Sequence, residues 1–407
     1  MSRLRVAVFS PLPPSPTGVA DYTSELLPHL ARHLGPLDVY VEDAPTETPR
    51  EEATHRVLPA RLFEAEDAKS PYDAVLYHHG NNPHHGYIYR QSLKRRGLAL
   101  LHDAVLHHFI ATTTLPQGRF DVYAEELRYA EGETGELLAQ TRARGLLAEW
   151  HQFLVPLVDR VLAHSEGVLV HSAYVERAVR HRFPQLPVRR ALHHFSPPPP
   201  AIERLTRSEA RQRVGAPEEA FLVGSFGFVT PSKRVEAALA GFAPFCRHHP
   251  EAHYVVVGKL QEFDRTVLSR HALENRVTLT GRVSLDEFLT WLQAVDVVVN
   301  LRYPSAGESS GTLVRALGAG KPTLVSHMPY AADHPASAVL PIPVGDGEVE
   351  ALTAALERLR SEPGLARSMG AAARAHARVR CSLEGAARAQ ADFIQEAVAR
   401  RRRTGAS

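Results

Sequence analysis

Val295-Asp296-Val297-Val298-Val299-Asn300-Leu301, followed by Pro304-Ser305-Ala306-Gly307-Glu308-Ser309-Ser310-Gly311-Thr312, decides the fold of this chain. The first stretch is an apolar, strand-like run. The second is a turn rich in Ser and Gly that opens into a helical pattern over Leu313 to Ala319. Strand, turn and helix in that order are the unit of a parallel α/β sheet. Such a turn exposes several backbone N–H groups at the positive end of a helix, which is a seat for phosphate or carboxylate. Glu308 cannot serve a phosphate by charge, so it is left to accept hydrogen bonds from a polyol such as a ribose or a sugar. One short segment thus predicts both halves of a sugar nucleotide.

The same alternation runs along nearly the whole chain. Expected strands are Leu4–Phe9, Leu37–Val41, Ala74–Tyr77, Leu98–Leu101 and Val168–Val170, then Phe221–Ser225, Tyr254–Val257, Val277–Leu279, Val295–Asn300, Thr323–Ser326 and Val339–Pro343. Many are Val- and Leu-rich without alternation, as in parallel strands covered on both faces. Between the two series lies Ser196-Pro197-Pro198-Pro199-Pro200, a stiff connector and the natural domain boundary. The expectation is α/β, with two Rossmann-like doubly wound domains facing each other across a cleft. Phe120 to Val161 reads as long charged helices. Leu383, Ala387, Ala391, Ile394 and Val398 stand near helical spacing, so the tail should dock one face. The basic run Arg400 to Arg403 reads as a solvated, frayed terminus.

Composition narrows the class. With 407 residues the chain is too long for one core and fits two domains of about 150–200 residues. A net charge of +2 gives no field that would favour nucleic acid. Cys246 and Cys381 lie far apart without metal-type spacing, which suits a reducing compartment. No apolar run approaches the ~18 residues of a membrane span. Arg3 and Arg5 precede only a short apolar stretch, Val6 to Phe9, that runs into prolines, unlike a signal peptide. A cytoplasmic protein is expected, with peripheral membrane contact left open.

Two further segments carry charge to strand ends. In Gly227-Phe228-Val229-Thr230-Pro231-Ser232-Lys233-Arg234 a strand ends near Gly227 and a helix starts about Val235. Lys233 would then meet an anion beside a helix N-terminus. Only five lysines occur (Lys69, Lys94, Lys233, Lys259, Lys321), against 47 Lys plus Arg, so a compact ammonium here stands out. An ordinary exposed first-turn lysine would look the same. In the first half, His102-Asp103 ends a strand, where ligands of open sheets bind. The imidazole would donate to a sugar hydroxyl, and Asp103 would fix its tautomer or cap the next helix. A packed His before an Asp cap fits equally. Gly18 lets backbone approach a ligand, although a Gly in such a turn is commonplace. The polar loop with Asn81 and Asn82 suits a sugar acceptor, or a plain connection.

Twenty-three histidines, many paired, invite a metal reading. Adjacent side chains on strands or helices diverge, and no H-E-x-x-H or Cys-His grouping appears, so no metal is expected. There is no G-x-G-x-x-G after the first strand, no G-x-S-x-G elbow and no Walker loop, which argues against dinucleotide, hydrolase and NTPase readings.

Together these residues resemble glycosyltransferase family 4, retaining enzymes of the GT-B fold. The resemblance rests on Pro304-Ser305-x-x-Glu308-x-x-Gly311, Gly320-Lys321-Pro322, the Gly227-to-Lys233 turn, His102-Asp103 and Val170-His171-Ser172. It implies an acceptor-side domain over residues 1–196 and a nucleotide-sugar domain over 201–377. It further implies a helix over 378–400 that crosses back to the first domain, with a basic tail over 401–407. Transfer of a sugar from a nucleoside-diphosphate sugar to a sugar or glycolipid acceptor is implied, without metal or other cofactor. Lys233 would neutralise the leaving diphosphate, Glu308 bind donor-sugar hydroxyls and His102 touch the donor sugar. The N–H groups of Ser310, Gly311 and Thr312 would cradle the phosphates, Ser309 would stand on the donor side, and Gly18 would border the acceptor or diphosphate. Asp103, Asn81 and Asn82 stand on the acceptor side.

Two positions depart from the family. Its Arg beside the Gly preceding the Lys is here Phe228, and Arg234 or Arg302 would have to supply that charge. Its second Glu, which binds ribose, is here Arg315. Arg315 would contact a phosphate or base, or pair with Glu308. Alternatives from other classes are a nucleotide-sugar-binding protein without catalysis and a GT-B sugar-nucleotide epimerase.

Overall fold

Residues 4–42, 50–51, 54–146 and 150–404 are described by a computed structural model. The expectations about Arg3 and residues 405–407 fall outside them. The chain divides into two units: Met1–His193 with Ala306–Ser309 and Leu383–Ser407, and His194–Ser305 with Ser310–Ser382.

The first unit is built on β1 (Val6–Phe9), β2 (Leu37–Val41), β3 (Arg50–Glu51), β4 (His55–Pro59), β5 (Ala74–His79), β6 (Leu98–Leu101), β7 (Gly167–Val170) and β8 (Val188–Arg190). They form one sheet of eight strands in the order β3-β4-β2-β1-β5-β6-β7-β8. Every pair is parallel except the short β3–β4 pair. Strands β1, β2, β5, β6 and β7 are buried along their whole length, which is why their sequences do not alternate. Strands β4 and β8 escape the sequence reading because they are charged and lie near or at a sheet edge. Arg56 of β4 grips Asp38 of β2 with two bonds of 2.7 and 2.8 Å, and Arg189 of β8 pairs with Glu396 at 2.8 Å.

Helix Leu383–Thr404 completes this unit. Its apolar face places Ala391, Phe393, Ile394, Ala397 and Val398 among Val6, Val39, Leu76 and Leu98 of the sheet. Its end corrects the expectation of a frayed basic tail. The helix continues to Thr404, Arg402 pairs with Asp73 at 2.8 Å, and Arg401 donates to the Asp73 carbonyl. Cations at a helix C-terminus meet its negative end, and a fixed carboxylate adds a second partner.

The second unit carries β9 (Phe221–Phe226), β10 (Ala252–Val257), β11 (Val277–Gly281), β12 (Val297–Asn300), β13 (Thr323–Ser326) and β14 (Val339–Ile342). Their order is β11-β10-β9-β12-β13-β14, all parallel. One face packs Val223, Val297 and Val299 on Leu239, Phe242 and Leu352; the other packs Leu222, Val255 and Val298 on Trp291, Leu292 and Ala316. The order reverses between β9 and β12, and in open α/β sheets the ligand crevice lies beyond the carboxyl ends of such strands. No helix among the described residues is long and apolar enough to cross a membrane.

Candidate functional site

In the second unit, the two connections flanking the reversal converge. After β9 the backbone turns at Gly227 with φ +93°, and a single helical turn, Pro231–Lys233, follows. A Cβ built on Gly227 would stand 2.7 Å from Lys233 Nζ and 3.2 Å from Thr312 Oγ1. The missing side chain therefore makes room for the ammonium, and it permits a backbone conformation that L-residues rarely adopt. Thr312 belongs to helix Gly311–Gly318, which follows β12. Ser310 is its N-cap: Ser310 Oγ accepts from Leu313 N–H at 3.1 Å and from the Arg302 guanidinium at 3.0 Å. An ammonium, a hydroxyl and a helix N-terminus thus share one corner at the carboxyl ends of β9 and β12. That corner is suited to a polyanion.

The neighbouring arginines divide. Arg302 is tied to the cap of the phosphate-type turn. Arg234 turns elsewhere: in left-handed conformation (φ +51°), it donates from Nε to Glu348 Oε1 at 2.8 Å, and Glu348 is 3% exposed. Sequence reasoning missed Glu348, which stands over a hundred residues away and signals nothing locally. Arg315 lies on helix Gly311–Gly318 behind the cap. Lys321 is a structural lysine whose Nζ donates to the carbonyls of Gln293 and Val295 at 2.8 and 2.9 Å. Burial pulls its pKa down to about 8.

Ala306–Ser309, with Glu308 and Ser309, groups with the first unit, where Ala104 N–H donates to Ala306 O at 2.8 Å. In that unit Gly18 opens helix Gly18–Leu34, behind the Thr17 cap, with open space where a side chain would stand. Asp103 does not cap the following helix, which runs from His107 with Leu106 as its cap. Its carboxylate instead accepts from Asn81 N–H at 2.8 Å. Asn81 Oδ1 accepts from Phe109 N–H at 2.9 Å, and Asn82 Oδ1 from His84 N–H at 3.1 Å. These side chains brace the loop after β5.

His102 is surrounded by imidazoles. Its Nε2 lies 3.1 Å from His78 Nδ1, and its Nδ1 lies 3.4 Å from His171 Nε2. Burial and the neighbouring imidazoles, His171 foremost, push the pKa of both His78 and His102 well below the usual histidine range. The Tyr22 ring stands edge-on to His102 with centroids 4.7 Å apart. The sequence reading gives a role to His102 alone, quotes His171 only within Val170-His171-Ser172, and leaves His78-His79 as one of several histidine pairs. The signal it passed over is that three apolar strands each end on histidine: His78 and His79 after β5's Tyr77, His102 after β6, His171 after β7. Among the described residues no group of three or more His, Cys, Asp or Glu is arranged to hold a metal ion.

Residues 206–376 match the model of the family described as glycosyl transferases group 1. The chain is similar in structure to sucrose-phosphate synthase from Thermosynechococcus elongatus, at 16% identity and a TM-score of 0.70, with 98% of this chain and 100% of that one covered. It is similar also to the Anabaena protein HepE solved in complex with UDP-glucose, at 15% identity and a TM-score of 0.65, with 97% and 100% covered. WaaG, a glycosyltransferase involved in lipopolysaccharide biosynthesis, follows at 15% identity and a TM-score of 0.61, with 96% and 99% covered. No protein of curated function matches the sequence. At such identities the structural likeness shows the fold, which is GT-B with two Rossmann-like units.

Proposed function

We propose that this glycosyltransferase moves a sugar from a nucleoside-diphosphate sugar to a sugar or glycolipid acceptor, with retention and without a metal ion. The observation that carries the reading is the convergence of Lys233 Nζ and Thr312 Oγ1 over Gly227, at the amino end of helix Gly311–Gly318. Cleaving a glycosyl–phosphate bond builds negative charge on the diphosphate and positive charge on the sugar ring. A preorganised ammonium and helix-terminal N–H groups of Ser310, Gly311 and Thr312 stabilise the first. Arg302, held against Ser310, adds a second cation to the same turn. With charge supplied by side chains and backbone, the leaving diphosphate needs no divalent ion. Front-face attack lets that phosphate take the acceptor's proton, so the reaction needs no pair of protein carboxylates.

Glu308 is assigned the donor-sugar hydroxyls and His102 the sugar near the reacting carbon. Gly18, with open space above it, borders the diphosphate or acceptor. Asn81, Asn82 and Asp103 shape the acceptor loop rather than reach for a ligand themselves. Arg315 takes the position of a ribose-binding Glu, so recognition of the nucleoside runs through a cation. The assignment to the retaining family 4 rests on the motif set, and the choice of a nucleotide-sugar donor is supported by the UDP-glucose complex of a protein of like fold.

The test is a thermal-shift panel with UDP, GDP, ADP and their common sugar conjugates, run beside Lys233→Ala. Ligand at about 100 times its dissociation constant stabilises the fold by ~2.7 kcal/mol, a few degrees. A shift with one nucleotide, lost in the variant, identifies the base and supports the seat. No shift with any of them sinks the reading.

A further inference from the structure

His78, His102 and His171 stand at the carboxyl ends of three adjacent strands and form one hydrogen-bonded row. Both ends of the row stop on groups whose hydrogen-bonding role admits no choice. At one end, His171 Nδ1 lies 2.8 Å from the Ala191 carbonyl oxygen, which only accepts. His171 therefore carries its proton on Nδ1 and, when neutral, presents a lone pair at Nε2. His102 must donate to that lone pair from Nδ1, which leaves its own Nε2 bare. His78 must then donate from Nδ1 to His102.

The other end reaches the same answer independently. The Ser10 hydroxyl lies 3.1 Å from the Pro11 carbonyl oxygen and donates to it. Ser10 Oγ then accepts from the Thr23 hydroxyl at 2.7 Å, and Thr23 Oγ1 is left as an acceptor, 3.1 Å from His78 Nδ1. Thr23 too requires the proton on His78 Nδ1, shared between Thr23 and His102. These contacts are met by three neutral imidazoles, with the one N–H of His78 serving both Thr23 and His102. His78 and His171 are 1% and 5% exposed, so water does not readily offer substitute partners. The surrounding groups press towards neutrality as well. His85 donates to the His78 carbonyl at 2.8 Å, His193 lies beside His171 and Tyr22, and the Tyr22 hydroxyl accepts from Gln390 at 2.8 Å.

We infer that His171 and His78 are positioning residues that hold His102 as the Nδ1–H tautomer, with Nε2 an acceptor. This rests on the proposed role of His102 at the sugar. Its consequence is a specificity: a substrate hydroxyl that meets His102 must donate to Nε2 and displace the His78 N–H. That polarity is opposite to the donating imidazole expected from the sequence.

The experiment is long-range ¹H–¹⁵N correlation NMR of the full-length protein labelled with ¹⁵N-histidine, His102 being assigned by difference from His102→Gln. The expected result at neutral pH is a proton on His102 Nδ1 and a bare Nε2. A proton on Nε2, or an imidazolium, overturns the inference without any enzyme assay. His171→Phe, which keeps ring volume alone, should give mixed tautomers and on the order of 10-fold lower kcat with KM little changed. His171→Gln, which keeps an acceptor oxygen for His102, should recover tautomer and rate together. Equal tautomers in His171→Phe and wild type would overturn the role of His171. A protein with the tautomer locked but no sugar transfer would support the lock and count against the transferase reading.

Discussion

Arg234 and Glu348 join the start of helix Val235–His248 to the start of helix Glu348–Ser361 through a two-pronged ion pair, with Arg234 Nε 2.8 Å from Glu348 Oε1. Glu348 is buried, and Arg234 occupies a left-handed backbone position immediately after Lys233. The pair therefore fixes the turn from which the ammonium projects, and a cation that sequence reasoning offered to the ligand is spent on structure.

Glu348→Ala should destabilise the second unit by about 2 kcal/mol, because it strands a half-buried guanidinium. Chemical denaturation should show the loss. Lys233→Ala should cost clearly less stability than Glu348→Ala while abolishing the nucleotide thermal shift. The two neighbouring cations would thus separate into one for the fold and one for the ligand. Similar stability losses in both would refute that division.

Gly227→Ala is expected to damage binding by two routes. The new methyl would stand 2.7 Å from Lys233 Nζ, and φ of +93° is strained for alanine. Nucleotide affinity should fall by on the order of 10-fold or more, read by calorimetry. Unaltered affinity would show that the ammonium does not work from this position.

Acid should weaken the first unit below about pH 6.5, where histidines of the unfolded chain begin to take up protons. Burial, with a coulombic contribution from a neighbouring imidazole, draws the pKa of His79 to about 3; burial likewise draws that of His85 to about 4. Below about pH 6.5 the unfolded chain takes up protons that the folded one refuses. Stability is therefore full above 6.5 and falls as the pH drops towards 4, by about 3 kcal/mol for His85 alone. His85→Gln retains a donor for the His78 carbonyl and should lose less stability than wild type between pH 6.5 and 4. An identical pH profile would contradict a neutral, buried His85.

The C-terminal helix should be indispensable to the first unit. Ile394 is fully buried among sheet residues, so Ile394→Ala should cost about 2–5 kcal/mol. A loss below ~1 kcal/mol in urea denaturation would show that the helix is only loosely docked.

What could be read from the residues alone was whatever is local and repetitive. Fully buried parallel strands such as Val6–Phe9 and Val297–Asn300 announce themselves as unbroken apolar runs, and the Ser- and Gly-rich turn announces the helix that follows β12. Lys233 and the Glu308 turn could be placed at strand ends for the same reason. The charged strand His55–Pro59 could not, because its stability comes from pairing with β2 and from Arg56 on Asp38, neither visible in its own composition.

The amino-acid order by itself determined the fully buried strands and the amphipathic helices, since burial and period act over a few residues. Tertiary structure alone decided which side chains meet. Sheet order brought His78, His102 and His171 side by side although long stretches of chain separate them, and it set Lys233 against Thr312 over Gly227. Hydrogen bonds and ion pairs act over about 3 Å in space and are indifferent to distance along the chain. For that reason Arg234 found Glu348, and the polarity of the histidine row was settled by two carbonyls at its far ends.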